Sequence, residues 1–362
     1  MSVVRRYLIF FCLLAAGCGS HDTSDPWEII ELGTDAEFRD IFFLDSQNGW
    51  MVGAVGVAVP GGIVARTRDG CLTWSYRTGV IPKRWRTHSV DINAVWFTDL
   101  EHGTLAAGAG TILGTTDGGA TWKKLPPTGP VYAQNQDIQF VDLSHGWIIG
   151  REGVRFTEDG GANWERIDEK GKLTGKALHF IDRERGWVVG KFGVVHRTDD
   201  GGFTWEAVPA AGDMEGLSGD DKPNLQAVHF VDEMHGWIAG YRRQMPELDQ
   251  FDYGMIFHTS DGGATWHKQL DRLDFLLRDI RFADPARGWA VGYNVKDGTS
   301  TVLGTTDGGG SWTVEKTVYG EELQAIFELD GQVWIVGDRV REEPQKLLRL
   351  VPAGAGGVDK GE

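Results

Sequence analysis

Seven short segments along the chain alternate apolar with polar positions, and each ends on an aspartate. A Gly-Trp pair, or a degenerate version of it, follows each segment. Their first residues recur every 40 to 54 positions: Asp40, Ala94, Asp137, Ala177, Ala227, Asp279 and Ala325. Short alternating runs bounded by turn residues predict β-strands. Regular spacing of the same pattern predicts a repeated β-unit.

A second motif, Thr-x-Asp-Gly followed by Trp, occurs six times, at residues 67–74, 115–122, 157–164, 198–205, 259–266 and 305–312. This pattern is the Asp box, also called the bacterial neuraminidase repeat. Gly allows a tight hairpin with positive φ, and the Asp side chain can accept hydrogen bonds from the turn. We predict this structural role for the six aspartates Asp69, Asp117, Asp159, Asp200, Asp261 and Asp307.

Each unit has room for four strands, here called A to D. In the first unit they are predicted at 40–44, 50–53, 63–66 and from Trp74 onward. The seventh unit supplies strands at 323–329, 333–337 and 346–351, and it has neither an Asp box nor a strand D. Residues 26–32 match the segments that follow the Asp boxes. We therefore predict an all-β fold, a seven-bladed β-propeller of four-stranded blades, in which the N-terminal strand completes the last blade.

Composition agrees with a repeated β-fold and excludes disorder, because the 362 residues include 51 Gly and 15 Trp and are 41% hydrophobic. The two repeat motifs and Trp27 account for 13 of the tryptophans. A net charge of −16 excludes a general nucleic-acid binder, which needs a basic surface. Solubility is the simplest reason for so acidic a chain.

The N-terminus has the form of an export signal: Arg5 and Arg6, an apolar run, and small residues before Cys18. Its Leu-Ala-Ala-Gly-Cys sequence resembles a bacterial lipobox, which implies cleavage before Cys18 and a lipid on its thiol. The predicted organisation is a signal peptide at 1–17, a tether at 18–26, a propeller at 27–352 and a disordered tail at 353–362. The protein would be exported and anchored to a membrane, facing the periplasm or the cell exterior. A secreted protein without a lipid is the alternative.

The strand after the tether, the Gly-Trp-Met-Val-Gly type of strand B, the repeated Asp boxes and the lipobox-type leader together resemble the photosystem II stability/assembly factor family. The resemblance covers nearly the whole mature chain. It implies a seven-bladed propeller that acts without catalysis and binds membrane-protein subunits during their assembly. The expected partner is accordingly a membrane or envelope protein, bound by a monomeric propeller.

One face of the propeller is predicted to carry function. The A–B and C–D connections lie together and are uniform, whereas the long insertions fall in the B–C and D–A connections on the opposite face. Two segments of this face stand out, the basic and aromatic run at 83–88 and the loop at 241–255. Arg and aromatic side chains are common interface anchors. The predicted partner-binding residues are Arg84, Trp85, Arg86, Arg242, Arg243, Phe251 and Tyr253. A Trp that covers the propeller among solvated arginines, and neutral drift of surface loops, are the alternatives.

A ring of polar residues precedes the seven A strands and is expected to surround the mouth of the central channel: Arg39, Asn93, Gln136, Lys176, Gln226, Arg278 and Gln324. These side chains could bind a polar ligand or a partner's tail. Alternatively they hydrogen-bond water and nearby backbone.

Two other functions remain open, a carbohydrate-active or carbohydrate-binding propeller like the sialidases, and a passive structural lipoprotein. Sialidase chemistry needs an Arg triad and a Tyr–Glu nucleophile that the sequence does not present, so we expect no catalytic residues. No His pair has metal-ligand spacing, and no phosphate-binding Gly loop is present. The sequence thus predicts neither a metal site nor a cofactor.

Overall fold

Seven four-stranded antiparallel sheets make up the described structure, a computed structural model that covers residues 25–351 except 56–60, 83–90, 127–133, 169–172, 209–221, 245–250, 274, 295 and 340–344. In chain order the strands are β1 (Trp27–Glu31), β2 (Glu37–Phe43), β3 (Gly49–Ala54), β4 (Ile63–Thr67), β5 (Ser75–Thr78), β6 (Ile92–Phe97), β7 (His102–Ala107), β8 (Thr111–Thr116), β9 (Lys123–Lys124), β10 (Asn135–Phe140), β11 (Gly146–Gly150), β12 (Gly153–Thr157), β13 (Glu165–Arg166), β14 (Ala177–Phe180), β15 (Gly186–Val189), β16 (Val195–Thr198), β17 (Glu206–Ala207), β18 (Asn224–Phe230), β19 (Gly236–Gln244), β20 (Phe251–Thr259), β21 (His267–Leu273), β22 (Leu276–Phe282), β23 (Gly288–Asn294), β24 (Thr299–Thr305), β25 (Thr313–Tyr319), β26 (Glu321–Leu329), β27 (Gln332–Arg339) and β28 (Lys346–Leu350). A short 3-10 helix spans Lys191–Gly193.

Blades 1 to 6 each use four consecutive strands, from β2–β5 in blade 1 to β22–β25 in blade 6. Blade 7 has the order β26-β27-β28-β1, so its outermost strand comes from the other end of the chain. Trp27 pairs with Leu350 and Glu31 with Lys346. The predicted seven-bladed fold and its closure by the N-terminal strand are both confirmed.

Stacked aromatic rings join neighbouring blades. The Trp of four of the five Gly-Trp pairs, and Trp334 at the equivalent position of blade 7, lie against the Phe near the end of strand A in the next blade. The ring centroids are 3.5 to 4.0 Å apart in the pairs Trp50–Phe97, Trp147–Phe180, Trp187–Phe230, Trp237–Phe282 and Trp334–Phe43. Buried aromatic pairs contribute stacking energy beyond the area they bury. The Gly-Trp repeat read from the sequence is therefore the joint between blades.

The indole N–H groups of four of these tryptophans, Trp50, Trp147, Trp187 and Trp237, bond to the Asp-box turn of the following blade. Trp147 donates to the carbonyl of Gly201 at 2.8 Å, and Trp237 donates to Gly308 at 3.0 Å. Blade 7 has no Asp box to receive Trp289. Its indole donates instead to the carboxylate of Glu315 at 3.2 Å, which also accepts from Trp27 at 3.2 Å.

The Asp box folds as predicted from its residue types. In the fifth copy, one Asp261 oxygen accepts from the Thr259 hydroxyl at 2.7 Å and from the backbone N–H of Thr265 at 2.9 Å. The other oxygen accepts from the Thr265 hydroxyl at 2.6 Å. Gly262 and Gly263 take φ values of 70° and 83°, the left-handed region that glycine favours.

Strand lengths depart from the prediction in two places. The innermost strands begin earlier, as β2 does at Glu37 rather than Asp40, because they continue past a bulge. The predicted loop at 241–255 is wrong in part, since β19 and β20 extend into it and pair as far as Gln244 with Phe251. Among the described residues there is no helix of the length and apolar character that crossing a bilayer requires.

Candidate functional site

The seven polar residues that precede the A strands line one cavity of about 420 Å³ at the centre of the propeller, here called the channel mouth. A β-bulge accounts for the direction of six of them, all except Lys176. The register shifts at this residue in six of the innermost strands, β2, β6, β10, β18, β22 and β26. A bulge leaves one residue unpaired and can re-aim its side chain. Each of these strands therefore turns one long polar side chain out of its sheet and toward the centre.

Hydrogen bonds link ring residues of neighbouring blades. Arg39 donates from Nη1 to Oδ1 of Asn93 at 3.1 Å and forms an ion pair with Asp91 at 3.0 Å. Lys176 donates from Nζ to Oε1 of Gln136 at 3.0 Å. Burial, together with the nearby Arg278 charge, lowers the pKa of Lys176. Part of the ring thus satisfies its own polar groups through bonds between side chains of neighbouring blades.

The other side of the channel mouth is built around Arg278. Its Nε donates to Oε1 of Glu322 at 2.8 Å, and its guanidinium lies 5.6 Å from the ring centre of Tyr241. Gln324 donates to Oδ2 of Asp338 at 3.2 Å. The second oxygen of Asp338 is buried without a hydrogen-bond partner among the described residues. Burial raises the pKa of Asp338 to about 7.

Three aspartates form the layer below the ring, and each bridges two blades. Asp40 accepts from the backbone N–H of Val95 at 2.8 Å, Asp137 from that of Leu178 at 3.0 Å, and Asp279 from that of Ile326 at 2.8 Å. Each also accepts from the N–H of the residue that follows it. Burial raises the pKa of all three, to about 8 for Asp40 and about 6 for Asp137. Their bonds give these carboxylates a structural role.

Deeper in the channel, side chains two residues further along each A strand form an aromatic half and a polar half. The Phe42 ring lies 4.9 Å from Trp96 and 5.1 Å from Phe327. On the other side the rings of His179 and His229 are 4.9 Å apart. Burial and the Arg281 charge lower the pKa of both histidines, to about 3 for His179, so both are neutral near pH 7. In the described part of the chain no three His, Cys, Asp or Glu side chains are grouped to hold a metal ion.

The hairpin of β19 and β20 rises on the same face as the channel mouth. Arg242 pairs across it with Tyr253, and the guanidinium lies 5.6 Å from the Tyr ring centre. The Nε of Arg242 is buried and has no hydrogen-bond partner among the described residues. Arg243 and Phe251 belong to the same hairpin, opposite Asp252 and Gln244 respectively.

Several residues of the sequence prediction fall outside the described structure. Arg84, Trp85 and Arg86 lie in the gap at 83–90, and Cys18 precedes residue 25. The structure also adds residues that the sequence did not single out, notably Asp338, Tyr241 and Glu322. Asp338 had one visible signal, since it is an acidic residue directly after an apolar B strand.

Channel mouth and hairpin together offer donors, acceptors and two Arg–Tyr pairs, Arg278 with Tyr241 and Arg242 with Tyr253, on a rigid scaffold. Such a surface can hold a peptide by hydrogen bonds to its backbone and polar side chains. The rings of Tyr241 and Tyr253 are aromatic anchors of the kind that is enriched in protein interfaces.

The propeller resembles solved structures of several functions. One match is a structure described as YCF48 bound to D1 peptide. The match covers 90% of this chain and 97% of that structure, with a TM-score of 0.65 and 22% identity. The propeller also resembles the GH74 xyloglucanase from Xanthomonas campestris, over 89% of the chain and 55% of that enzyme, with a TM-score of 0.59 and 14% identity. At these identities the likeness shows the fold alone.

Sequence comparison is more specific. Photosystem II assembly lipoprotein Ycf48 of Synechococcus sp. (strain CC9902) is 27% identical over 146 residues, a match that spans 40% of this chain and 40% of that relative. The family model described as photosynthesis system II assembly factor YCF48 matches residues 20–95, 82–208 and 177–274. These matches cover more than half of the chain and confirm the predicted resemblance. The chain therefore belongs to the family of the photosynthesis system II assembly factor YCF48.

Proposed function

We propose that this protein is a non-enzymatic assembly or scaffold factor that binds a segment of a protein partner at the channel mouth and the β19–β20 hairpin. The observation that carries the proposal is the bulged ring. In each of six innermost strands one residue is unpaired at a bulge, and its polar side chain lines the same cavity. The ring residues are not required to join the blades at three of the seven junctions, because the aspartates below bond to the neighbouring strand there.

The relatives support a protein ligand rather than a small molecule. One family member of the same fold has been solved with a D1 peptide bound. A peptide suits the channel mouth of this chain because carboxamide and guanidinium groups can pair with backbone carbonyls and N–H groups. A membrane or envelope protein is the partner class that we infer, with the propeller acting as a monomer.

Membrane attachment is part of the same proposal. Relatives carry the name lipoprotein, and Cys18 follows an apolar run and small residues in this chain. A lipid on Cys18 and a short tether at 18–26 would place the propeller at a membrane surface on the exported side, followed by the propeller at 27–352 and a tail at 353–362. Radiolabelled palmitate incorporation that is lost in Cys18→Ala tests this attachment.

A pull-down from detergent-solubilised envelope tests the binding surface. Tyr253→Ala, Trp85→Ala and Arg84→Glu are expected to lower recovery of the same partner at unchanged fold. Leu143→Ala is the matched control, since Leu143 is 62% exposed in an A–B connection on the opposite face. Equal recovery with all three variants would show that the surface is wrongly chosen. Recovery of no specific partner by the wild-type protein would favour a passive structural lipoprotein.

The second candidate is a carbohydrate-active or carbohydrate-binding propeller, supported by the likeness to a xyloglucanase fold and by the raised pKa of the channel aspartates. Against it, Asp40, Asp137 and Asp279 each accept two backbone N–H bonds, which commits both oxygens to the fold. A glycosidase needs one free acid and one free base or nucleophile.

A further inference from the structure

A second cavity of about 360 Å³ lies between blades 1 and 2, on the face opposite the channel mouth. The cavity adjoins the Asp boxes, which connect strands C and D on one face of the propeller. The polar ring lies at the start of the A strands, on the other face. Three arginines line it, Arg66, Arg68 and Arg77, over a floor that includes Trp50 and Gly118. We call it the arginine cleft.

The arginine cleft is open because blade 1 lacks the side chain that closes this wedge elsewhere. In blades 2, 3 and 4 the third residue after the Asp-box Trp is Leu125, Ile167 or Val208, and each packs into the core between its own blade and the next. In blade 5 it is Gln269, which donates to the carbonyl of Gly308 at 2.8 Å. Blade 1 has Arg77 at this position, and Arg77 is exposed.

Strand register brings the three arginines to one side of the sheet. Arg77 pairs with Val64, and Ser75 pairs with Arg66. Since side chains alternate along a strand, Val64, Arg66 and Arg68 share a face with Ser75 and Arg77. That face looks toward the Asp box of blade 2, where Arg66 donates to the carbonyl of Gly118 and lies 5.0 Å from the ring centre of Trp50.

The positive charge of the arginine cleft exceeds the negative charge around it, since Asp117 acts on Arg66 only through space. No carboxylate lines it, and none of the three arginines forms an ion pair with a described residue. Some part-buried arginines elsewhere are paired, as Arg278 is with Glu322 and Arg349 with Glu28, whereas Arg281 donates to the backbone carbonyl of Ile326. Three arginines without an ion pair in an acidic chain of 52 Asp and Glu make the cleft a local positive surface that suits an outside anion.

The same wedge in blade 6 shows which group fits. Glu315 occupies the position equivalent to Arg77, and its carboxylate lies in the wedge and accepts from the indoles of Trp289 and Trp27. A carboxylate is thus sterically and chemically accommodated at this place in the repeat. In blade 1 the residue is a cation, so a carboxylate in this wedge would come from another molecule.

We propose that the arginine cleft binds Asp or Glu side chains of an acidic peptide segment from a partner protein. A peptide is favoured over a free anion because the outer strand β5 (Ser75–Thr78) is exposed throughout and offers a backbone edge beside the arginines. An extended segment can pair with such an edge while its alternate side chains reach the cleft. This site goes beyond the function proposed above, since it lies on the opposite face.

The test uses full-length protein labelled with ¹⁵N-Trp and a capped peptide, Ac-Gly-Glu-Gly-Glu-Gly-NH₂, with its glutamine counterpart as the control ligand. The indole resonance of Trp50, assigned by loss in Trp50→Phe, reports on the floor of the cleft. We expect it to shift on titration with the glutamate peptide and to stay in place with the glutamine peptide. Arg77→Leu, which installs the residue of blade 2, is expected to weaken binding at least about tenfold, which corresponds to one lost charge-assisted contact.

Arg151→Leu is the matched control, because it removes the same charge from an exposed position on the other face. Equal affinity of Arg77→Leu and Arg151→Leu would overturn the proposal. A shift of the Trp50 resonance by inorganic phosphate as large as the shift by the glutamate peptide would also overturn it. A shift that depends only on protein concentration would do so too, because it would assign the cleft to a second copy of the chain. Should Arg77→Leu fail to fold, Arg68→Gln gives the same comparison from an exposed side chain.

Discussion

The indole of Trp334 stacks on the ring of Phe43 with centroids 4.0 Å apart and planes 13° from parallel. This contact joins the last blade to the first. It repeats the geometry of the joints inside the ring, such as Trp237 on Phe282 at 3.5 Å and 8°. Closure therefore rests on two links, the β1–β28 pairing within blade 7 and this aromatic joint between blades 7 and 1.

Trp334→Ala should destabilise the propeller by about 3–5 kcal/mol, since it removes a fully buried indole and leaves a cavity at the closing joint. Denaturant unfolding followed by circular dichroism measures the loss. Trp122→Ala is the control, because Trp122 is half-buried and meets Phe97 only edge-on at 6.0 Å. Equal losses for the two variants would show that closure is not specially dependent on this joint.

Glu315→Leu should cost about 2–4 kcal/mol, because it leaves the indole N–H groups of Trp27 and Trp289 without their acceptor. Glu315→Gln keeps one carbonyl oxygen and should lose about half as much. Comparing the unfolding free energies of the two variants separates the hydrogen bonds from the volume of the side chain. A Leu variant as stable as the wild type would refute the idea that Glu315 replaces the missing Asp box of blade 7.

Stability should fall as pH rises through the range in which Asp40 titrates. Burial raises the pKa of Asp40 from 3.8 to about 8, so the folded state holds this proton more tightly than the unfolded chain does. The resulting stabilisation is complete below pH 3.8 and is lost as pH rises to about 8, with a slope of at most about 1.4 kcal/mol per pH unit. Ala stands at this position in blades 2, 4, 5 and 7. The substitution Asp40→Ala should therefore flatten the dependence of unfolding free energy on pH.

Unfolding free energies measured at several pH values between 4 and 8 check this prediction. The slope is compared rather than the absolute stability, because Asp40→Ala also removes the bond to Val95. Asp137→Ala should change the slope over a narrower range, since its pKa rises only to about 6. An identical slope in Asp40→Ala and wild type would contradict the assignment.

The protein should not turn over xyloglucan or sialosides, because the channel carboxylates are bonded to backbone N–H groups on both oxygens. Release of reducing sugar or of sialic acid is the measurement. Hydrolytic activity of the wild type that disappears in Asp40→Ala or Asp137→Ala would contradict the non-enzymatic function and support a glycosidase.

Much of the fold follows from the sequence, because each blade repeats the same local signals. Asp-Gly turns, alternating strands and Gly-Trp pairs specify the blade, and Trp27 in an Asp-box-like context indicates the closing strand. The ends of strands were less predictable. The polar residues after Tyr241 read as a loop, yet β19 continues to Gln244 because Arg242 and Tyr253 pair across the hairpin.

The candidate site was only partly readable. Repeat alignment placed Arg39 and Gln324 in one set, but it could not show the bulge that turns them inward, since a bulge depends on pairing with strand B. The arginine cleft was missed because Arg77 is ordinary by itself. It becomes visible only against the Leu125 and Ile167 that fill the same wedge in other blades.

Photo-crosslinking from two faces in the living host tests whether a membrane protein binds at the channel mouth and the hairpin. A benzoyl-phenylalanine is placed at Tyr253 beside the channel mouth or at Leu143 on the opposite face, and adducts are identified by mass spectrometry. We expect one membrane-protein adduct from position 253, suppressed by Arg242→Ala, and none of that protein from position 143. The same adduct from position 143, with none from 253, would contradict this expectation.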